Sequence, residues 1–107
     1  MKRRCIVRSP VYREVIAQAQ YYSEHSSDEL ATPFYEAAEA TYRFLLRNPS
    51  IGKPCRSPKH RALGVREFGI KGFPRHLIFY RAVPEGIEIL KVVHAARDLE
   101  ALLEADW

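Results

Sequence analysis

The sequence has no long hydrophobic run, almost no cysteine and little glycine. Its longest unbroken apolar stretch is the four residues 77–80, and Met1-Lys2-Arg3-Arg4 leads into only three apolar residues before Arg8. A membrane-spanning helix needs about 20 apolar residues and a signal-peptide core about 7–15, so neither is read here and the cytoplasm is the default compartment. The two cysteines, Cys5 and Cys55, lack a Cys or His partner at ligand spacing, and His25, His60, His76 and His94 are dispersed. Neither zinc pattern is met, so no metal and no cofactor is expected, and the thiols read as reduced. The five glycines form no G-x-S-x-G, phosphate-loop or dinucleotide element. Gly69-Ile70-Lys71-Gly72 falls in a strand and turn, away from the helix-end amides that a phosphate loop uses.

What is present suits one small domain, residues 1–107. The chain is 47% hydrophobic, too apolar for disorder, and a chain this long buries roughly two thirds of its unfolded surface without staples. Acid is scarce in one stretch. Residues 51–81 hold eight basic side chains (Lys53, Arg56, Lys59, Arg61, Arg66, Lys71, Arg75, Arg81) and a single acid, Glu67, whereas the remaining 76 residues carry nine basic and twelve acidic ones. A net +4 therefore conceals a concentrated basic surface suited to an anionic partner, nucleic acid or acidic protein. For any single residue, a solvated loop cation is the plainer reading.

Residues 2–8 alternate as a short strand. Ser9-Pro10 marks a helix start with Ser9 as cap, and Val11, Val15, Ala19 and Tyr22 follow at helical spacing to about residues 23–25. Ser26-Ser27-Asp28-Glu29 fits a capping box opening a second helix to about Arg47, with Leu30, Phe34, Ala38, Thr41 and Leu45 on one face. Pro33 demands either a cap at Thr32 or a bend. Asn48-Pro49 ends that helix, and the proline-rich residues 49–58 read as an ordered loop. Alternation then takes over: strands at 65–70, 75–83 and 87–93, separated by turns at 72–74 and 84–86. The second is apolar on both parities around residues 77–80, as in a central strand. Asp98 is the expected cap of a short tail helix carrying Leu99, Leu102 and Leu103.

The order β-α-α-β-β-β with a short C-terminal helix predicts an α+β, two-layer fold, a helical hairpin packed on a mainly antiparallel four-stranded sheet. The opposite sheet face is expected to be partly open. Leu90, Val92 and His94 are expected to point together. Most of the Tyr and Phe residues belong in the core, with base stacking the minority reading.

A ribonuclease site needs a base, an acid and cations for the gathering phosphate charge, and Arg66, Arg81 and His94 on successive strands offer these roles. Against that, His94 followed by Ala95-Ala96-Arg97-Asp98 also suits a structural or binding role at the strand end. Arg8, Lys59, Arg61, Arg66, Arg75 and Arg81 are the candidate target- or partner-binding charges.

Three segments carry a resemblance: Ser9-Pro10 into a helix with Tyr21-Tyr22 near its end; Leu45 to Pro49 with Ile51-Gly52; and Val65-Arg66-Glu67 through Phe73-Pro74, residues 77–81 and Val92-Val93-His94-Ala95-Ala96-Arg97-Asp98. Together they resemble the ParE branch of the RelE/ParE toxin superfamily over nearly the whole chain. The resemblance implies a toxin encoded beside a ParD-like antitoxin and aimed at DNA gyrase, without RNA cleavage. RelE-type relatives instead cleave mRNA on the ribosome, and this chain departs from them because no Tyr follows His94 and no Lys-rich run occupies the second helix. Pro33 departs from the family's continuous second helix. A ribosome-dependent mRNA endoribonuclease and a plain basic nucleic-acid-binding module, with steep salt dependence, remain the alternatives.

Overall fold

Helical spacing in the first half of the chain and alternation in the second sort it into a helix pair and a sheet. The computed structural model describes residues 2–25 and 31–107. In chain order the elements are β1 (Arg4–Val7), α1 (Ser9–His25), α2 (Ala31–Arg47), β2 (Lys53–Pro54), α3 (Pro58–Arg61), β3 (Arg66–Ile70), β4 (Phe73–Val83), β5 (Gly86–His94) and α4 (Ala95–Glu104). The α+β reading holds: α1 and α2 pack together and onto a mixed sheet ordered β1-β5-β4-β3-β2. Only the β1–β5 pairing is parallel among the described strands. The sheet has five strands rather than four. The addition is β2, which pairs through Lys53↔Glu67 and Pro54↔Arg66. Two residues carry no readable period, and proline is tolerated there because an edge strand needs no donor on its outer side.

Helix starts shift by a residue or more. The Arg8 carbonyl accepts the Tyr12 N–H at 3.0 Å, so Ser9 lies inside the first turn of α1 instead of capping it. Pro10 is harmless there because first-turn amides have no intrahelical acceptor. The expected capping box and Leu30 lie outside the described residues. Thr32 is helical rather than a cap, and Pro33 sits in the first turn of the described span of α2. At the other end the Asn48 N–H is shared between the carbonyls of Phe44 and Leu45 at 3.0 and 3.1 Å, which closes the helix before Pro49. His94, with extended backbone, occupies the N-cap position of α4, and Asp98 lies in the first turn bonded to Arg97. A first-turn carboxylate still favours the helix through its dipole.

The β4–β5 hairpin contains the register feature that positions everything else. Near its turn the pairs are Val83↔Gly86, Ala82↔Ile87, Arg81↔Glu88 and Tyr80↔Ile89, but the next pair is Phe79↔Lys91. Leu90 is thus an extra residue, a β-bulge, and the parity of β5 reverses across it. Ile87 and Ile89 before the bulge, and Val92 after it, all meet the helices, while Leu90 and Val93 face the other side. The expected alignment of Leu90 with Val92 and His94 is corrected accordingly. Without the bulge His76 would oppose Val93. With it, His76 opposes His94.

Both faces of the sheet are covered. On one, Val11 and Val15 of α1 and Phe34, Ala38, Tyr42 and Leu45 of α2 bury against Ile78, Tyr80, Ile87, Ile89 and Val92. On the other, expected to be partly open, α4 lays Leu99, Leu102 and Leu103 over Phe79, Val93 and Val65, with Trp107 stacked on His60 at 3.9 Å between ring centroids. Each large apolar side chain removed from water in this way contributes about 1.5–3 kcal/mol. Gly86, at φ +150°, lets β1 close: a Cβ there would lie 2.1 Å from the Arg4 carbonyl oxygen.

The loop between α2 and β2 hangs on one hydroxyl. Tyr80 Oη donates to the Pro49 carbonyl and accepts from the Gly52 N–H, each at 2.9 Å, while Arg66 Nη1 donates to the Gly52 carbonyl at 2.6 Å. A Cβ on Gly52 would meet Tyr80 Oη at 2.5 Å, so only glycine fits beneath the ring. Gly52→Ala is expected to destabilise the protein by about 1–3 kcal/mol through overpacking, and Tyr80→Phe by about 1–3 kcal/mol through two lost partners. Because both act on one contact, urea unfolding of the double variant should show a loss smaller than the sum. A Gly52→Ala midpoint equal to that of the parent protein would contradict this account of the loop.

Candidate functional site

Three of the eight concentrated cations, Lys53, Arg56 and Arg81, together with Arg8, are engaged by two buried carboxylates. Glu88, on β5, takes an ion pair from Arg8 and a second from Arg81 at 2.9 Å, so residues just after β1 and on β4 converge on one acid. Glu67, on β3, accepts from Arg56 Nη2 at 2.6 Å and from the Arg56 N–H at 3.1 Å, with Lys53 Nζ at 3.7 Å. Burial pushes both acids up, but the cations and hydrogen bonds around them win and hold each below the ordinary glutamate value. A buried carboxylate without these partners would be severely penalised, which is why each is met by two cations. The Arg8 side chain is still 66% exposed, so its pair with Glu88 anchors the cation and leaves much of the side chain in water.

The six sequence-selected binding charges therefore divide. Arg8 and Arg81 are tied to Glu88, Arg66 to the Gly52 carbonyl, and Lys59 to Asp106 at 2.7 Å. Arg61 and Arg75 are exposed and make no ion pair among the described residues. The three residues read as a ribonuclease set are not brought together. Arg66 opposes Tyr80, Arg81 opposes Glu88 and His94 opposes His76, which puts His94 five residues along β4 from Arg81, about 17 Å at the rise of a strand.

His94 instead joins a different group. The pocket between α1 and the His76–His94 end of the sheet is lined by Gln18, Tyr21, Tyr22, Arg75, His76, His94 and Arg97 together with Ala17, and has a volume of about 510 Å³. His76 is buried between Tyr22, Phe34 and Phe73, with its ring centroid 5.1 Å from that of His94. Tyr22 Oη lies 3.4 Å from His76 Nε2. Burial, then the neighbouring His94 and Arg97, lower the His76 pKa to about 4, so the ring is neutral at physiological pH. Behind the pocket, Gln18 Nε2 donates to the Val92 carbonyl at 3.0 Å, while Gln18 Oε1 and His94 Nδ1 are buried with no hydrogen-bond partner. Sequence reasoning missed Gln18, Tyr21, Tyr22 and Arg97 as site residues. The bulge at Leu90 and the packing of α4 bring them together, and neither leaves a motif.

A second concavity, of about 530 Å³, lies between α2 and β3. Phe44 and Phe68 form its apolar floor with centroids 5.8 Å apart, and Arg47 and Lys71 stand at its rim. Among the described residues no group of three or more His, Cys, Asp or Glu is placed to hold a metal, and no helix is long and apolar enough to cross a membrane. A family model described as the ParE toxin of a type II toxin-antitoxin system, parDE, matches residues 7–99, a span that runs from β1 into α4. No curated protein matches the chain.

The buried His76 has a consequence for stability. A histidine held neutral in the fold, with its pKa below the ordinary 6.5, contributes stability that is fully present above pH 6.5 and is lost as pH falls toward about 4. His60, also buried and lowered chiefly by burial, adds a smaller slope of the same sign. Unfolding free energy is therefore expected to drop by on the order of 3 kcal/mol between pH 6.5 and 4, and His76→Gln to remove most of that dependence. An unchanged pH profile in His76→Gln would show that His76 does not govern the slope.

Proposed function

The chain belongs to the ParE toxin family of type II toxin-antitoxin systems, and from that premise we propose that it inhibits DNA gyrase in the cytoplasm and is neutralised by a ParD-like antitoxin. The observation that carries this reading is the family match over residues 7–99, which takes in the hairpin, the sheet apart from the first three residues of β1, and the start of α4. The surface supports a toxin that works by binding. Within residues 51–81, five of the eight basic side chains (Lys53, Arg56, Lys59, Arg66 and Arg81) are anchored by a partner, an arrangement that holds charge at fixed positions for complementarity and rapid encounter. The Phe44–Phe68 groove, with Arg47 and Lys71 at its rim, suits an antitoxin segment that carries apolar side chains flanked by acids.

The ribonuclease alternative draws less support. It asks Arg66, Arg81 and His94 to act on one phosphate, but His94 lies five residues along β4 from Arg81, and Arg66 and Arg81 are held by the Gly52 carbonyl and Glu88. Induction of the toxin in cells lacking antitoxin, followed by gyrase supercoiling and cleavage assays and by mapping of mRNA 5′ ends, separates the two. The expected outcome is lost supercoiling with trapped gyrase–DNA complexes and an unchanged mRNA-end profile, and His94→Ala is expected to remain toxic. Codon-linked mRNA cuts beside unaffected gyrase would overturn the proposal.

A further inference from the structure

We propose that residues 104–107, at the end of α4, form an acid-released latch: Trp107 stacked on His60 holds α4 against the sheet, and protonation of His60 lets this segment lift. Helix α4 covers the second core with Leu99, Leu102 and Leu103, yet none of its residues is fully buried. Its end is fixed from α3. His60 is 2% exposed, its ring lies 3.9 Å from the Trp107 indole with 17° between the planes, and its Nδ1 is 2.8 Å from Ser57 Oγ. Lys59 Nζ donates to the Glu104 carbonyl at 3.3 Å and pairs with Asp106 at 2.7 Å. Asp106 is 96% exposed, and an ion pair in water holds little, so the aromatic stack is the main tie. The indole also meets the Phe79 ring edge-on at 5.5 Å, and its N–H donates to the Leu102 carbonyl at 2.7 Å. That last bond couples the ring to the final turn of α4, so lifting Trp107 lifts the helix end and bares the otherwise fully buried Phe79.

The stack puts an ionisable ring where water does not reach. Neutral imidazole can accept the Ser57 hydroxyl proton at Nδ1, whereas imidazolium can only donate there, so protonation must turn the hydroxyl as well as bury a charge. Lys59 and Arg61 lie beside His60 on its own helix, Asp106 faces it from the latch, and Arg8, Arg81, Glu88 and Lys91 line the recess that His60 and Trp107 share. Lysine and arginine keep their charge through mild acid, and Glu88 and Asp106 are held below their ordinary carboxylate values by the cations that bond them. His60 is thus the group of this surround that changes charge below pH 6.5. Burial and then Lys59 lower its pKa, against Asp106 and the Ala105 backbone, which raise it. A lifted segment returns the ring to water. A histidine with a lower pKa docked than free favours the closed latch fully above pH 6.5 and progressively less as pH falls below it.

Trp107 is the one tryptophan of the chain, so its fluorescence reports the latch directly. The test follows its emission maximum and its quenching by acrylamide in the full chain from about pH 7.5 to about pH 5, with the methyl NMR signals of Ile78 and Ile89 as a monitor of the hairpin-side core. Below pH 6.5 the emission is expected to shift to the red and the indole to become accessible to acrylamide while the Ile78 and Ile89 signals stay in place. His60→Phe, which keeps a stacking ring, and His60→Gln are each expected to remove the pH dependence. His76→Gln is expected to keep it, which separates the latch from the global slope that His76 sets. The proposal is overturned by emission that does not change with pH, by a transition that survives in a folded His60 variant, or by one that coincides with loss of the Ile78 and Ile89 signals. Quenching without a red shift or acrylamide access, as from an imidazolium against a docked indole, also overturns it. Neither gyrase nor antitoxin takes part, so the outcome is independent of the toxin reading.

Discussion

Everything in this molecule is arranged around a strand that is buried on both faces. Strand β4 turns Ile78 and Tyr80 toward the α1–α2 hairpin and Phe79 toward α4, and all three are fully buried. The layers on its two sides therefore share one backbone. A strand covered in this way cannot slip by one residue without exchanging its two apolar sets, so register is strongly specified. Its neighbour β5 meets the same demand with a bulge: the extra residue Leu90 lets Ile89 and Val92 both reach the helices while Leu90 and Val93 reach the α4 side. The candidate pocket at His76 and the Arg81–Glu88 ion pair consequently sit on either side of this doubly covered segment.

The polar groups follow from the same constraint. Tyr80 lies under the helices, yet its hydroxyl reaches out to clamp the loop at Pro49 and Gly52, so the aromatic body serves the core and its tip serves the edge. Glu67 and Glu88 are buried in the sheet and can remain charged only because cations from neighbouring segments reach them. In this way a basic stretch that looked like a solvated surface becomes part of the scaffold. The charge that remains unpaired is narrower, centred on Arg61 and Arg75 among the residues singled out from sequence.

Much of the fold was legible in advance. The periodicity switch after Pro49 separated helices from meander, and the two-sided apolar run at 77–80 marked the central strand, because burial on both faces leaves no polar parity to write. What was not legible depended on long-range pairing. Two residues of β2 carry no period. The bulge at Leu90 is a three-dimensional compromise that alternation alone reads through. The cap of α1 moved because a backbone carbonyl, that of Arg8, does the work that the Ser9 side chain was expected to do. The candidate site was less visible than the fold for the same reason. Arg75 and His94 were singled out individually, but their grouping with Gln18, Tyr21, Tyr22 and Arg97 exists only after the bulge sets His94 opposite His76 and α4 folds back.

Strand β4 is the common wall of two cores, and native-state hydrogen exchange tests this directly. The amides of Ile78, Phe79 and Tyr80 are expected to exchange only through global unfolding, with the denaturant dependence of the whole molecule, while Lys53 on the edge strand β2 exchanges through local opening. Residues 78–80 exchanging through a smaller opening than the global one, with α4 or the hairpin still protected, would contradict it.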